Sequence, residues 1–104
     1  MEEVSPEEAS KLVKSGKCRL LDVRELWEYQ QGALAGAVHI PLGEISERHG
    51  EIGRDQDWIV YCHHGVRSSF AIRFLKSVGF ERLWNLSGGI DAWSLRVDPS
   101  VRRY

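Results

Sequence analysis

The residues best suited to chemistry occur together in one short segment, Cys62-His63-His64-Gly65-Val66-Arg67. A cysteine thiolate is a strong nucleophile, and histidine and arginine bind anions or move protons. The segment follows an apolar run over residues 58–62 (WIVYC) and precedes apolar residues at helical spacing over residues 68–78. This pattern predicts that Cys62 ends a buried strand and that a short loop leads from it into a helix.

The predicted loop after Cys62 has the composition of an anion-binding site. At the start of a helix, successive backbone N–H groups can turn inward and bind a negative charge. Gly65 permits a backbone conformation that a side chain hinders, and Arg67 adds a permanent positive charge. A thiol held there is expected to ionise more readily, because the same donors stabilise its thiolate. The segment therefore predicts a nucleophile, a means of activating it and a pocket for an anionic group.

The alternative interpretation is that Cys62 is a small buried residue that only contributes to the core. The polar sequence that follows it favours the functional interpretation, since His-His-Gly-Val-Arg is poor core material. Cys18, in contrast, begins its predicted strand, which is the wrong end of a parallel sheet for a site. We therefore predict a structural role for Cys18.

The adjacent histidines His63 and His64 raise the question of metal binding or base catalysis. Neighbouring residues in a tight loop are expected to point in different directions, and with Cys62 they lack the separated ligand pairs of zinc sites. A general base is also less necessary when the nucleophile is already a thiolate. We expect these two residues to form the loop and to shape its opening, and we predict no metal.

The elements around this segment alternate between strand-like and helix-like patterns. A helix is predicted after the N-cap Ser5 and before Gly16, and a last helix opens at Gly88 and continues through Trp93. The remaining predicted elements are strands at 18–23, 37–40, 58–62 and 82–86 and helical stretches at 25–31, 42–49 and 68–78. Strands that alternate with helices at this spacing predict a three-layer α/β domain, with a parallel sheet between helices.

Length and composition limit the other possibilities. The chain has 104 residues, no repeat and no linker, so one domain over residues 1–104 is expected. Fourteen basic and fifteen acidic residues leave a formal charge of −1, which gives no general attraction to nucleic acid or to an anionic membrane. No run approaches the ~20 apolar residues of a membrane span, and the acidic start is unlike a signal peptide. We expect a cytoplasmic protein whose cysteines are reduced.

Three segments of the chain are similar to the signatures of one known family. They are residues 22–41, with Asp22-Val23-Arg24, Glu28-Tyr29, Gly32, Gly36-Ala37 and Ile40-Pro41; residues 62–68; and residues 86–93, LSGGIDAW. On these motifs the chain resembles the single-domain rhodaneses, sulfurtransferases whose catalytic cysteine carries a persulfide. Gly32-Ala33-Leu34 departs from the Gly-His-Ile that the family often shows, and we expect this to affect packing or loop polarity.

The resemblance implies a mostly parallel five-stranded sheet with helices on both faces. It also implies that Cys62 accepts and donates sulfur, and that backbone amides bind its outer sulfur, those of His63, His64, Gly65, Val66 and Arg67. The implied donors are thiosulfate or a protein persulfide, and the implied acceptors are cyanide or a thiol. No cofactor is implied.

Two questions stay open on the sequence. Arg67 either contacts an anionic donor or braces the loop by pairing with an acid. The chain could also be a sulfur carrier or interaction module that acts only with a protein partner. A cysteine phosphatase or arsenate reductase is disfavoured, because those enzymes use Cys-x5-Arg, whereas here the spacing is Cys-x4-Arg and position 68 is Ser68.

The remaining polar residues suggest ordinary roles. Asp22 is placed to act as a general acid, but a carboxylate there more often caps loop amides or pairs with an arginine. Arg24 and Glu28 have i,i+4 spacing, which predicts a surface pair worth ~0.3–0.5 kcal/mol. Residues 101–104 are expected to be a loose end.

Overall fold

A computed structural model describes residues 2–104, and its centre is one sheet of five parallel strands. The order across the sheet is β1-β5-β4-β2-β3. The strands are β1 (Glu3–Val4), β2 (Cys18–Asp22), β3 (Val38–His39), β4 (Asp57–Tyr61) and β5 (Leu83–Leu86). Parallel pairing places the carboxyl ends of all strands at one edge, so residues that follow β2, β4 and β5 come close together.

Helices cover both faces of the sheet, which confirms the predicted three-layer α/β class. They are α1 (Pro6–Lys14), α2 (Leu26–Gln31), α3 (Ile45–Arg48), α4 (Val66–Ser77) and α5 (Gly89–Arg96), with 3₁₀ turns at Leu42–Glu44 and His49–Glu51. One apolar core includes Ile45 of α3 and Ile72 of α4, and the other includes Ala9 of α1 and Ile90 of α5. Within residues 2–104 no helix has the length and apolar character that crossing a membrane requires.

Most element boundaries lie within two residues of those predicted. The start of α1 is as expected, with Pro6 in the first turn and the Ser5 side chain accepting a hydrogen bond from the Glu8 amide at 3.1 Å. The single helix predicted over 42–49 is instead a short α-helix between two 3₁₀ turns. The two-residue strand β1 was not predicted, because two residues are too few to show alternation.

The two cysteines lie at opposite ends of the sheet. Cys18 begins β2 and is paired across the sheet with Asp57, at the amino end of β4. Cys62 directly follows β4, at the carboxyl end, and both thiols are free. Burial, together with the charge of Asp57, raises the pKa of Cys18. A raised pKa leaves less thiolate, so Cys18 is the less reactive kind of thiol.

The start of α5 holds the segment after β4 in place. The Ile90 amide donates to the Cys62 carbonyl at 2.9 Å, and the Asp91 amide donates to the His63 carbonyl at 3.2 Å. Gly89 permits this approach, because a Cβ at that position would overlap both carbonyl groups. The glycine pair of the third sequence signature therefore fixes the loop that begins at Cys62.

We expect Gly89→Ala to destabilise the protein more than Gly16→Ala. Both glycines have positive φ, +63° and +79°, so each substitution carries a left-handed penalty of ~1–2 kcal/mol. Only at Gly89 does the new Cβ meet backbone, since nothing lies within 4 Å at Gly16. The overlap should add ~1–3 kcal/mol, measured by urea unfolding of the two variants. Equal losses would contradict the close approach of α5.

Candidate active site

The Cys62 sulfur lies at the start of α4 and is surrounded by hydrogen-bond donors. Cys62 is 1% exposed. Its Sγ accepts hydrogen bonds from the amides of Gly65 at 3.1 Å and Ser68 at 3.4 Å. Gly65 is the N-cap of α4 with φ +112°, a conformation that favours glycine. The predicted loop at a helix start is therefore present, and two of its N–H groups point at the sulfur.

The Ser68 hydroxyl adds a polar contact to the same sulfur, with its Oγ 3.4 Å from Sγ. Ser68 Oγ donates to Asn85 Oδ1 at 2.6 Å, while Asn85 Nδ2 donates to the Gly65 carbonyl at 3.0 Å. Because the one hydroxyl proton goes to Asn85, Ser68 meets the thiol as an acceptor and the S–H of Cys62 is the donor. Ionisation of Cys62 leaves the two backbone amides as the donors to its sulfur.

Arg67 is engaged by an acid. Its guanidinium binds both carboxylate oxygens of Glu28 on α2, at 2.5 and 2.8 Å, and the Glu28 side chain is only 4% exposed. The Arg67 hydrogen bonds hold the pKa of Glu28 at about 2, and the carboxylate in turn raises the pKa of Arg67. This is the bracing contact that the sequence left open. A direct contact of Arg67 with a donor stays a prediction.

The predicted surface pair between Arg24 and Glu28 is wrong. Both residues are buried, and Arg24 instead binds Asp22, with Nη2 to Oδ2 at 2.6 Å and Nε to Oδ1 at 3.0 Å. Asp22 also accepts a hydrogen bond from the Arg24 amide at 3.0 Å. The pairing role suggested for Asp22 is therefore correct. The i,i+4 spacing brings side chains together only within a helix, and Arg24 precedes α2 rather than lying within it.

The side chains of His63 and His64 do not diverge as expected. Their rings stack, with centroids 4.1 Å apart, and His63 also stacks on Tyr104 at 4.1 Å. Partial burial and the neighbouring His64 lower the pKa of His63, which keeps its ring neutral at pH 7. The expected loose end is also wrong, because Tyr104 is anchored to this stack and to Glu28 by a hydrogen bond of 2.8 Å.

The sequence did not predict three residues that take part in the contacts around Cys62, namely Ser68, Asn85 and Tyr104. Ser68 lies six positions after Cys62, in the first turn of α4, where both its amide and its hydroxyl contact the sulfur. Asn85 had a signal, since a polar side chain stands within the otherwise apolar end of β5. Tyr104 had none, because its partners Arg24, Glu28 and His63 lie far from it along the chain.

A cavity of substantial size lies away from Cys62. It has a volume of about 390 Å³ and is lined by residues of α1, residues 33–35 and residues 98–101, together with Leu20 and Trp93. None of residues 62–68 lines it.

Comparison with known proteins agrees with this geometry. The model of the rhodanese-like domain matches residues 5–96. A sulfurtransferase from Allochromatium vinosum is 39% identical over 82 residues, which cover 79% of this chain and 77% of that protein. YrkF of Bacillus subtilis, named as a proposed sulfur carrier protein, is 38% identical over 79 residues, 76% of this chain and 43% of YrkF. The chain therefore spans less than half the length of that relative.

The fold is shared with solved structures as well. A rhodanese-related protein from Thermoplasma volcanium superposes with a TM-score of 0.88 at 30% identity, over 98% of both chains. The all-parallel sheet with helices on both faces thus belongs to a known architecture. The chain is a member of the rhodanese-like domain family.

Removing the Glu28 carboxylate should lower the free energy of unfolding most at neutral pH. A carboxylate whose folded pKa is lowered to about 2 stabilises the protein above its unfolded value of 4.5 and loses that contribution as pH falls. We expect Glu28→Gln to lower the free energy of unfolding by ~1–3 kcal/mol at pH 7, since Arg67 is partly solvated. The difference from wild type should shrink between about pH 5 and about pH 2, measured by urea unfolding.

The exposed pair of Glu44 with Arg48, at 2.8 Å, provides the control. Glu44→Gln should change the free energy of unfolding by less than ~0.5 kcal/mol, because an exposed pair is screened by solvent. A loss in Glu28→Gln that stays constant from pH 7 to pH 2 would contradict the assignment of this energy to the Glu28 charge.

Proposed function

We propose that this protein is a sulfurtransferase that carries sulfane sulfur on Cys62. The observation that carries the proposal is the position of Sγ at the carboxyl end of β4, within hydrogen-bond distance of the Gly65 and Ser68 amides. Such donors stabilise a thiolate and would equally stabilise the terminal sulfur anion of a persulfide. Membership of a family with relatives named as sulfurtransferases supports the same chemistry.

In the first step the Cys62 thiolate attacks the sulfane sulfur of a donor. With thiosulfate, the sulfur–sulfur bond of the donor breaks, sulfite leaves with the electron pair, and Cys62 becomes a persulfide. In the second step an acceptor attacks the outer sulfur and the Cys62 thiolate leaves. Cyanide would give thiocyanate, and a thiolate would give a new persulfide. The two half-reactions balance without an external oxidant or reductant, and they make ping-pong kinetics the expectation.

The backbone of the loop would hold the outer sulfur. We assign that role to the amides of His63, His64, Gly65, Val66 and Arg67, in line with the family resemblance. Two general features support it, the position of the loop at a helix start and the shortness of the segment between Cys62 and α4. In this proposal Asp22 is not a general acid, because both its oxygens are bound by Arg24.

We also propose a cytoplasmic location, in which both free cysteines stay reduced. The proposed partners are a small sulfur donor, a thiol or cyanide acceptor, and a protein persulfide as either donor or acceptor. We propose no nucleic acid or membrane partner and no cofactor. The alternative of a sulfur carrier that acts only with a protein partner is favoured by one observation, the similarity to YrkF.

Incubation with thiosulfate should add one sulfur atom to the protein at Cys62. Wild type and Cys18→Ser should both gain the mass of one sulfur, because Cys18 is buried at the far end of β2 and its pKa is raised. Cys62→Ser should gain none. Intact-mass spectrometry, before and after addition of cyanide, measures both half-reactions. A sulfur gained by Cys62→Ser would refute the assignment.

The same experiment separates the enzyme from the carrier. An enzyme loads from thiosulfate and releases thiocyanate over many turnovers. A carrier restricted to a protein partner stays unmodified by thiosulfate at any concentration, while a protein persulfide loads it.

Arg67 is expected to act on the loop rather than on a particular donor. Arg67→Ala leaves the buried Glu28 carboxylate without its main partner, so the free energy of unfolding should fall by ~1–3 kcal/mol, or several degrees in Tm. The kcat should fall for thiosulfate and for uncharged persulfides alike, with a smaller change in KM. Arg67→Lys should recover only part of the loss, because lysine cannot form the bidentate contact.

A different result would indicate donor binding by Arg67. In that case Arg67→Ala raises the KM for thiosulfate alone, and added salt weakens the wild type in the same direction, since exposed charge contacts are screened. Stopped-flow and steady-state kinetics with one anionic and one neutral donor distinguish the two.

A further inference from the structure

Tyr104 makes several contacts around the Cys62 site that no sequence pattern predicts. Its hydroxyl donates to Glu28 Oε2 at 2.8 Å and accepts from Arg24 Nη1 at 3.0 Å. Its ring stacks on His63 at a centroid distance of 4.1 Å and an interplanar angle of 14°. One residue thus touches the acid that holds Arg67 and the residue that directly follows Cys62.

The hydroxyl links the side chains of two ion pairs. Glu28 belongs to the pair with Arg67, and Arg24 belongs to the buried pair with Asp22. Since Arg24 can only donate and the Glu28 carboxylate can only accept, the hydroxyl proton is directed at Glu28. Burial and the Glu28 carboxylate raise the pKa of Tyr104 to about 12, so this proton is held across the physiological range. The Glu28 carboxylate is therefore fixed from two sides, by Arg67 and by Tyr104.

The aromatic ring of Tyr104 makes a second set of contacts, to His63. Tyr104 covers one face of His63 and His64 covers the opposite face, at 4.1 Å in both cases. Trp27 meets the Tyr104 ring edge-on at 5.9 Å. With its carbonyl bound by the Asp91 amide, His63 is held by both backbone and side chain. The side chain that follows Cys62 therefore has one fixed orientation.

We propose that Tyr104 is a positioning residue of the Cys62 site. Its hydroxyl sets the Glu28 carboxylate that braces Arg67 and the first turn of α4, and its ring sets the orientation of His63 beside the sulfur. The effect on rate rests on the proposed sulfur transfer, whereas the effect on Glu28 and His63 does not. This separates a failure of the inference from a failure of the proposed function.

Two variants divide the roles of the hydroxyl and the ring. Tyr104→Phe keeps the ring and removes the hydrogen bonds to Glu28 and Arg24, so the pKa of Glu28 should rise from about 2 while that of His63 stays at its wild-type value. Tyr104→Leu removes both, so the pKa of His63 should also rise as its ring becomes solvated. NMR titration of the carboxyl and imidazole carbons measures both groups. The other charged groups that face His63 are His64, Asp91, Glu28 and Arg67, and both variants keep all four residues.

The kinetic readout uses thiosulfate and cyanide with the same variants. We expect kcat to fall about threefold to tenfold in Tyr104→Phe, the range of one net hydrogen bond, and further in Tyr104→Leu. KM should change less than kcat, because in this proposal Tyr104 acts through Glu28 and His63 rather than on the donor. Ser100→Ala is the control, since it loses only a hydrogen bond of 2.6 Å to Asp98 within the same segment. It should keep wild-type kcat and both pKa values.

The outcomes are distinct. If both Tyr104 variants keep the wild-type kcat, or lose only thermal stability, the inference is overturned. Unchanged pKa values of Glu28 and His63 in Tyr104→Leu overturn it as well. If wild type itself moves no sulfur from thiosulfate, the proposed function fails with that donor. In that case the two pKa values alone decide for or against the positioning role.

Discussion

The buried carboxylate of Glu28 is the constraint on which the arrangement around Cys62 depends. A charge removed from water must be compensated, and at 4% exposure Glu28 has little solvent to do so. Arg67, Tyr104 and the Glu25 amide provide that compensation, and they come from three different parts of the chain. One acid therefore joins α2, the start of α4 and the segment that ends at Tyr104. The orientation of the first turn of α4, and with it the Ser68 amide at the sulfur, follows from this electrostatic requirement.

The charges near Cys62 are arranged as compensated pairs. Arg24 is bound to Asp22 and Arg67 is bound to Glu28, so neither guanidinium faces the sulfur as an isolated cation. The groups that face the sulfur include the N–H dipoles of Gly65 and Ser68, beside the Ser68 hydroxyl. Dipoles fixed by backbone geometry need little reorganisation when a negative charge forms between them. The hydrogen-bond donors to the sulfur are thus backbone groups rather than side-chain cations.

The elements that the sequence predicted well are those with a strong local signal. The apolar run ending at Cys62 and the glycine-containing loop after it were enough to locate the candidate nucleophile and its helix, and Ser5 and Pro6 were enough to start α1. The pairing of Asp22 with an arginine was suggested, but the choice of Arg24 depends on where α2 begins. The contacts of Tyr104 could not be predicted, because its partners lie far from it along the chain. Helical spacing between Arg24 and Glu28 suggested a surface pair, whereas burial of both residues required a separate partner for each. The need to compensate each buried charge, rather than the local spacing, thus determined which residues pair.

The contacts of Ser68 also fix the length of the loop. Gly65 and Ser68 reach the sulfur from positions three and six after Cys62, and Asn85 on the neighbouring strand holds both of them. One residue inserted between them would rotate the helix start by ~100° and carry the Ser68 hydroxyl away from β5. A wider loop after this cysteine therefore needs a change on β5 as well as in the loop. The length of the loop after Cys62 is therefore set jointly by the loop itself and by Asn85 of β5, two parts of the chain that are far apart in sequence.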